Sequence, residues 1–249
     1  EFGEDKMSSP RQIYAHLKNY FDKKNTVKNK NYKALVTTGP TREYLDPVRY
    51  ISNESSGKQG CEIAIALDRL GIKTTLIAGP SNFVLPKSII VKKIISADEM
   101  LDKVKKTLPV DLAVCAAAVS DLKPKEKSRT KIKKNDLNFK SIKFIKNSDI
   151  LEYLSKNNKH RPRLVAGFSA ETENLTKNSI KKIKNKHCDL IFANDVSKKG
   201  IGFNSNYNKV TVIDKEGNIQ IIPKNKKNLI ANKIAQILVD KLINDRNIN

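Results

Sequence analysis

The sequence predicts an α/β fold, a doubly wound, mostly parallel Rossmann-like sheet with a C-terminal β-hairpin and helix. Short apolar runs alternate with amphipathic segments in the order strand, helix, strand, helix, strand, the pattern of a parallel sheet covered on both faces. The run from Leu112 to Ala118 is apolar on both of its faces, as central parallel strands are. Near the C-terminus, Lys209 to Ile213 and Ile219 to Ile222 alternate in period two around Glu216-Gly217-Asn218, a hairpin signal.

Taken in order, Ile13, Leu17 and Tyr20 form a weak amphipathic pattern that predicts a short helix, and Asp22 to Asn31 is a polar linker rich in lysine and asparagine. Ala34 to Thr38 is the first strand. Lys58 to Leu70 is the first helix, with Ile63, Leu67 and Leu70 on one face and Gly71 placed to end it. Thr74 to Ala78 is a second strand closed by Gly79-Pro80. Ala97 to Leu108 is a helix stopped by Pro109, with Leu101, Val104 and Leu108 on one face. After the central strand, periodicity disappears between Val119 and Phe139 and lysine dominates, which makes a second long loop. Ile150 to Leu154 reads as a short helix, Leu164 to Phe168 as a strand, Leu175 to Lys186 as a helix and Leu190 to Ala193 as a strand. Leu229 to Ile243 closes the chain as an amphipathic helix with Ile230, Ile234, Ile237 and Leu238 inward.

A length of 249 residues with 39% hydrophobic and 30% charged residues is that of a globular protein with an ample core. No apolar run approaches a membrane span and no signal peptide is visible, so cytoplasm is the expected location and no membrane partner is expected. Cys61, Cys115 and Cys188 have no ligand-like spacing, and His16, His160 and His187 lie in unrelated polar contexts, which argues against disulfide, metal-centre or histidine-base chemistry. The net charge of +22 concentrates between Lys123 and Lys146 and between Lys177 and Lys186. Few aromatic residues interleave these lysines as stacking platforms, so no nucleic-acid partner is expected.

The first strand leads into Thr37-Thr-Gly-Pro-Thr-Arg-Glu-Tyr-Leu-Asp-Pro-Val-Arg-Tyr-Ile-Ser-Asn-Glu-Ser-Ser-Gly-Lys-Gln-Gly60, a loop several times longer than the usual two to six or so residues. Ser55-Ser56-Gly57 stands where a helix N-terminus forms, so hydroxyls, backbone N–H groups and a glycine face one point that suits phosphate. Arg42 and Arg49 add fork-shaped cations, and Asn53 can both donate and accept. The alternative is a capped helix behind a surface loop. Ala116-Ala-Ala-Val-Ser-Asp121 places small residues and a carboxylate at the end of the central strand; it reads either as a ligand-approach surface or as a tightly packed strand end. Lys131-Ile-Lys-Lys134 on charge alone is a solvated face. Ligands in open α/β sheets bind at the carboxyl ends of strands, where both long loops emerge.

The long first loop closely resembles the opening loop of the phosphopantothenoylcysteine synthetase family, the ligases of the coenzyme A pathway. Further segments resemble family motifs in order: Ala116 to Asp121, the lysine motif from Lys131, Asn147-Ser-Asp-Ile-Leu151, Gly167-Phe-Ser-Ala-Glu-Thr172, Ala193-Asn-Asp-Val196 and Gly202-Phe203. Ser148 stands in place of a proline, Ser169 in place of an alanine and Gln59 where methionine is common. A nicotinamide oxidoreductase is disfavoured because Gly39-Pro40-Thr41 breaks the GxGxxG pattern, and the Tyr14/Lys18 and Tyr20/Lys24 pairs precede the first strand.

The resemblance implies a ligase that joins 4′-phosphopantothenate to L-cysteine using CTP through an acyl-cytidylate, with Mg²⁺, and releases CMP and pyrophosphate. It implies that residues 1–31 are the tail of a decarboxylase half plus linker, and that 32–249 are the ligase domain. It implies Asn53 and Lys131 in the chemistry. Gly39, Ser55, Gly57, Gly60, Asp121, Lys131, Ser148, Asp149, Ile150, Leu151, Phe168, Lys182, Lys186 and Asn194 would bind nucleotide. Asn53, Ala117, Ala118 and Asp121 would bind the pantothenate substrate, together with an Arg49 reaching across from a neighbouring subunit of a homodimer. It names no metal ligands.

Overall fold

The computed structural model describes residues 9–10, 13–14, 32–133, 142–157, 159–197 and 205–244. The helix expected around Ile13, Leu17 and Tyr20 lies largely outside the described residues, as do Lys134 and the Gly202-Phe203 pair. In chain order the strands are β1 (Lys33–Thr38), β2 (Arg42–Tyr44), β3 (Tyr50–Ser52), β4 (Lys73–Ala78), β5 (Ile90–Lys93) and β6 (Leu112–Cys115). They continue with β7 (Leu122–Pro124), β8 (Phe144–Lys146), β9 (Leu164–Glu171), β10 (Leu190–Asp195), β11 (Tyr207–Asp214) and β12 (Ile219–Lys226). The helices are α1 (Lys58–Arg69), α2 (Ala97–Lys105), α3 (Ile150–Lys156), α4 (Leu175–Lys186) and α5 (Lys227–Asn244).

The main sheet has eight strands in the order β12-β11-β10-β9-β6-β1-β4-β5. It is parallel from β5 through β10 and antiparallel across β10–β11 and β11–β12. The chain runs outward from β1 through β4 to β5 and then returns to lay β6 on the other side of β1. That reversal is a topological switch point, where the loops after β1 and β6 diverge and leave a crevice at the carboxyl ends of the strands.

Successive residues of a strand point to opposite faces, and both faces here are covered. Ala34 and Val36 of β1 join a core with α1 and α5, while Leu35 between them joins a second core with α2, α3 and α4. The same division holds along β10, with Leu190 and Phe192 on the α5 side and Ile191 on the α4 side. α5 seats Ile230, Ile234 and Leu238 in the core as expected, while Ile237 is only half-buried.

Three expectations are corrected in detail. The central strand ends at Cys115 rather than Ala118, because beyond it only the β1 side continues: Ala118 N–H donates to the Gly39 carbonyl at 2.9 Å, and Ala118 bridges Pro40. α2 stops at Lys105, where Thr107 folds back, its N–H reaching Val104 at 3.0 Å and its hydroxyl the Lys103 carbonyl at 2.6 Å. Both long loops carry structure of their own, since β2 pairs with β3 and β7 with β8 as short antiparallel ladders.

Candidate active site

α1 begins at Gly57, which has φ of 73°, a conformation glycine adopts without a side-chain clash. No side chain caps this helix; Ser55 Oγ instead accepts from the Gly57 N–H at 3.2 Å, and Ser56 Oγ from the Lys58 N–H at 3.4 Å. Thr38 at the end of β1 donates its hydroxyl to the Gly57 carbonyl at 2.6 Å, which fixes the loop against the strand end. Gly60 lies so close to that threonine that an added Cβ would stand 2.4 Å from its Oγ1 and 2.7 Å from its Cβ. The glycine loop is therefore pressed onto the sheet edge by residues of its own sequence.

Two cavities of about 580 and 540 Å³ share Ala117, Val119, Asp121, Phe168 and Lys182, and so form one cleft above β1, β6, β9 and β10. One half is lined by Asn53, Ser55, Gly57, Gly60, Ala118 and Asn194. The other is lined by Ser148, Asp149, Ile150, Leu151 and Lys186. Asn53 is anchored across the switch point, its Nδ2 donating to the Val119 carbonyl at 2.9 Å. Lys182 reaches the Phe168 carbonyl at 2.8 Å, and the Phe168 ring leans on Phe192 with centroids 5.3 Å apart. Asp121 lies exposed in the part common to both halves.

Asp149 caps α3 by accepting from the Glu152 N–H at 2.8 Å, and Lys186 pairs with Asp149 at 2.9 Å and with Glu152 at 3.0 Å. Lys156 and Lys186 hold the Glu152 carboxyl down at about 2, and Asp149 in turn holds the Lys186 ammonium above its ordinary value. Cys115 lines the cleft, but burial pushes its thiol up to about 12; Cys61 and Cys188, also buried, stand at about 11 and 12. None of the three thiols is a nucleophile near neutral pH.

Two of the residues expected at the site, Gly39 and Lys131, lie elsewhere in this chain, and Arg49, expected to act across a dimer, is engaged within it. Gly39 packs beneath the loop, and an added Cβ there would stand 3.2 Å from the Gly79 carbonyl group. Arg49 donates to Asp46 of its own loop and to the Ile132 carbonyl of the second. Lys131 is exposed and lines a separate cavity with Leu45, Lys125 and Ile142.

The cleft also contains residues that the sequence reading missed. Asn208 of β11 donates to Gln59 and to Asn194, each at 3.2 Å, and Gln59 reaches the Lys227 carbonyl at 3.4 Å. Lys227, at the start of α5, is only 5% exposed. Burial first, and then neighbouring Lys58, lower its pKa. These residues close the α1 side of the cleft from the far end of the chain.

The sequence pattern of the DNA/pantothenate metabolism flavoprotein C-terminal domain family matches residues 29–242. The chain belongs to this family. It is 39% identical over 239 residues to the coenzyme A biosynthesis bifunctional protein CoaBC of Haemophilus influenzae, covering 96% of this chain and 58% of that protein. It is 36% identical over 246 residues to the Escherichia coli (strain K12) protein of the same name, covering 98% of this chain and 59% of that protein. The chain thus spans 58–59% of the length of these two curated relatives. Among solved structures, the C-terminal domain of CoaBC superposes with a TM-score of 0.73 at 31% identity, covering 87% of this chain and 98% of that one. A Streptococcus pneumoniae DNA/pantothenate metabolism flavoprotein shares the fold at a TM-score of 0.68 and 21% identity, covering 85% and 98%. Among the described residues, no helix of this family member is long and apolar enough to cross a membrane.

Proposed function

We propose that this chain is a phosphopantothenate–cysteine ligase, joining 4′-phosphopantothenate to L-cysteine with CTP. The observation that supports this most is the single cleft at the switch point. Asn53, Ala117 and Ala118 lie on the loop side, Ser148 to Leu151 with Lys186 on the other, and Phe168, Lys182 and Asp121 between. A reaction that brings a nucleotide to a carboxylate needs such a continuous site, because the two reactants must meet in line.

A carboxylate is a poor acylating agent, since its charge must be lost and oxide is a bad leaving group. Attack of a substrate carboxylate oxygen on the α-phosphorus of CTP forms an acyl-cytidylate and expels pyrophosphate. The cysteine amine then attacks the acyl carbon, loses a proton and displaces CMP, so two easier steps replace one hard one. Lys58 and Lys227, beside the glycine loop, supply positive charge for phosphate in this reading, and Phe168 packs against the nucleoside. Asn53 orients the acyl group for capture, and Lys131 approaches the triphosphate from the second loop. A homodimer belongs to the same proposal.

Among the described residues, no group of three or more His, Cys, Asp and Glu side chains is placed to hold a metal by itself. This fits Mg²⁺, which is held by one or two carboxylates together with substrate phosphates. Asp121 is the carboxylate in the shared part of the cleft that would serve, and the ion would neutralise phosphate charge there.

The experiment is pyrophosphate release by the purified chain with Mg²⁺, phosphopantothenate and either CTP or ATP, with and without cysteine. We expect sustained release that requires cysteine and prefers CTP. No release with either nucleotide from a folded protein would overturn the proposal.

A further inference from the structure

Asp46 has no part in the cleft, yet its carboxylate accepts five hydrogen bonds. Its side chain is fully covered. Oδ1 accepts from the backbone N–H groups of Val48 at 2.8 Å and Arg49 at 2.9 Å, closing a turn within the loop. Oδ2 accepts from Arg49 Nε at 3.0 Å and Nη2 at 2.5 Å, and also from the Ile132 N–H at 3.2 Å. The same Arg49 Nη2 donates to the Ile132 carbonyl at 2.5 Å. One residue of the second loop is thus gripped at both its N–H and its C=O, by a carboxylate and a guanidinium from more than eighty positions earlier. Leu45 adds a third tie, its carbonyl accepting from the Ser128 N–H at 3.0 Å.

Ile132 directly follows Lys131, and a residue whose two backbone polar groups are both fixed sets the direction of the peptide before it. We propose that Asp46 is a positioning residue whose pairing with Arg49 forms a clasp that orients the Lys131 segment. This rests on the role given to Lys131 above. The guanidinium keeps the Asp46 carboxyl well below the usual carboxylate range, so the clasp is charged near neutral pH. A buried carboxylate stripped of its cation is costly, so replacing Arg49 would confound release of the loop with general destabilisation. Asp46→Asn avoids this. The amide oxygen can still accept from Val48 and Arg49 and keep the turn, while its NH₂ meets the donors of Arg49 and Ile132 and breaks the grip.

The test uses the full chain and two readouts. In hydrogen exchange, Asp46→Asn should speed exchange of the Ile132 amide at least roughly tenfold, with the amides of β1 and α1 unchanged, as expected for local opening. In single-turnover pyrophosphate release, Asp46→Asn should slow the step by about the factor seen for Lys131→Gln, with KM for cysteine unchanged. The double variant should be no slower than Lys131→Gln alone. Unchanged protection of Ile132, or losses that multiply in the double variant, would overturn the clasp. Failure of the ligase proposal shows itself differently, as an unmodified chain that releases no pyrophosphate; the exchange readout then decides the clasp by itself.

Discussion

Asn53 holds the Val119 carbonyl with an N–H donor that aspartate lacks. Asn53→Asp should therefore still form the cytidylate but slow its capture by cysteine roughly 100-fold, the order seen when one oriented donor is removed; a burst of pyrophosphate followed by stalled turnover is the readout. Lys131→Gln should instead slow the burst itself about tenfold or more, and an unchanged burst would remove Lys131 from the chemistry. Lys227 makes the opposite kind of prediction. Its pKa is depressed by burial, so the unfolded chain holds this proton more tightly than the folded one, and at neutral pH the charge costs stability. Lys227→Met should leave Tm unchanged or higher while raising KM for CTP roughly tenfold, through loss of one charge-assisted contact. The lining of the cleft by Asn53, Ser55, Gly57 and Phe168 was legible because each stands in a motif, and Lys182 only through the family resemblance, since it lies within α4. Lys227 was not: it is one of 48 basic residues, in a run of lysines and asparagines where nothing local marks the buried one. Asn208 and Gln59 escaped for a related reason, since they meet only after distant strands pair.

α1 depends on contact with the end of β1, and Gly60 is the point of closest approach. Gly60→Ala would drive a Cβ into Thr38, whose hydroxyl is already committed to Gly57, so the helix must shift away from the strand. A loss of about 1–3 kcal/mol in urea unfolding, as for other overpacked sites, together with weakened nucleotide binding, is the expected outcome; an unchanged midpoint would show that Thr38 yields freely. At this scale the sequence reading recovered the strands of the doubly wound sheet that are buried on both faces, and α4 to its end residues, because an amphipathic or wholly apolar run leaves a periodic trace. It passed over β5, a four-residue edge strand of sequence Ile-Val-Lys-Lys with Ile90 and Val91 exposed. Three-residue ladders such as β2–β3 and β7–β8 are too short for a period of two to register. β9 runs on to Glu171 beyond its apolar part, because pairing with β10 rather than burial sustains it there.

With a net charge of +22, the whole molecule repels itself, and its carboxylates matter the more for that. Asp46, Asp102, Glu152 and Asp214 all have folded pKa values below their ordinary ones. Their contribution is fully present above the unfolded carboxylate range, and it is lost as pH falls through the lower folded values. The urea midpoint should thus hold between about pH 7 and 5 and fall below about pH 4, with added salt raising it throughout by screening the excess of lysine. A midpoint that climbs on acidification would contradict this. The same topology has a consequence for how the protein is made. Lys58 bonds Asn206 at 2.7 Å, Gln59 reaches Lys227, and α1 shares its core with α5, so α1 is completed by α5. Contacts this remote along the chain form late. On the ribosome, the glycine loop must wait for some 170 further residues before its helix finds its partner. A nascent chain released before α5 would carry every motif of the first loop and still have no finished cleft.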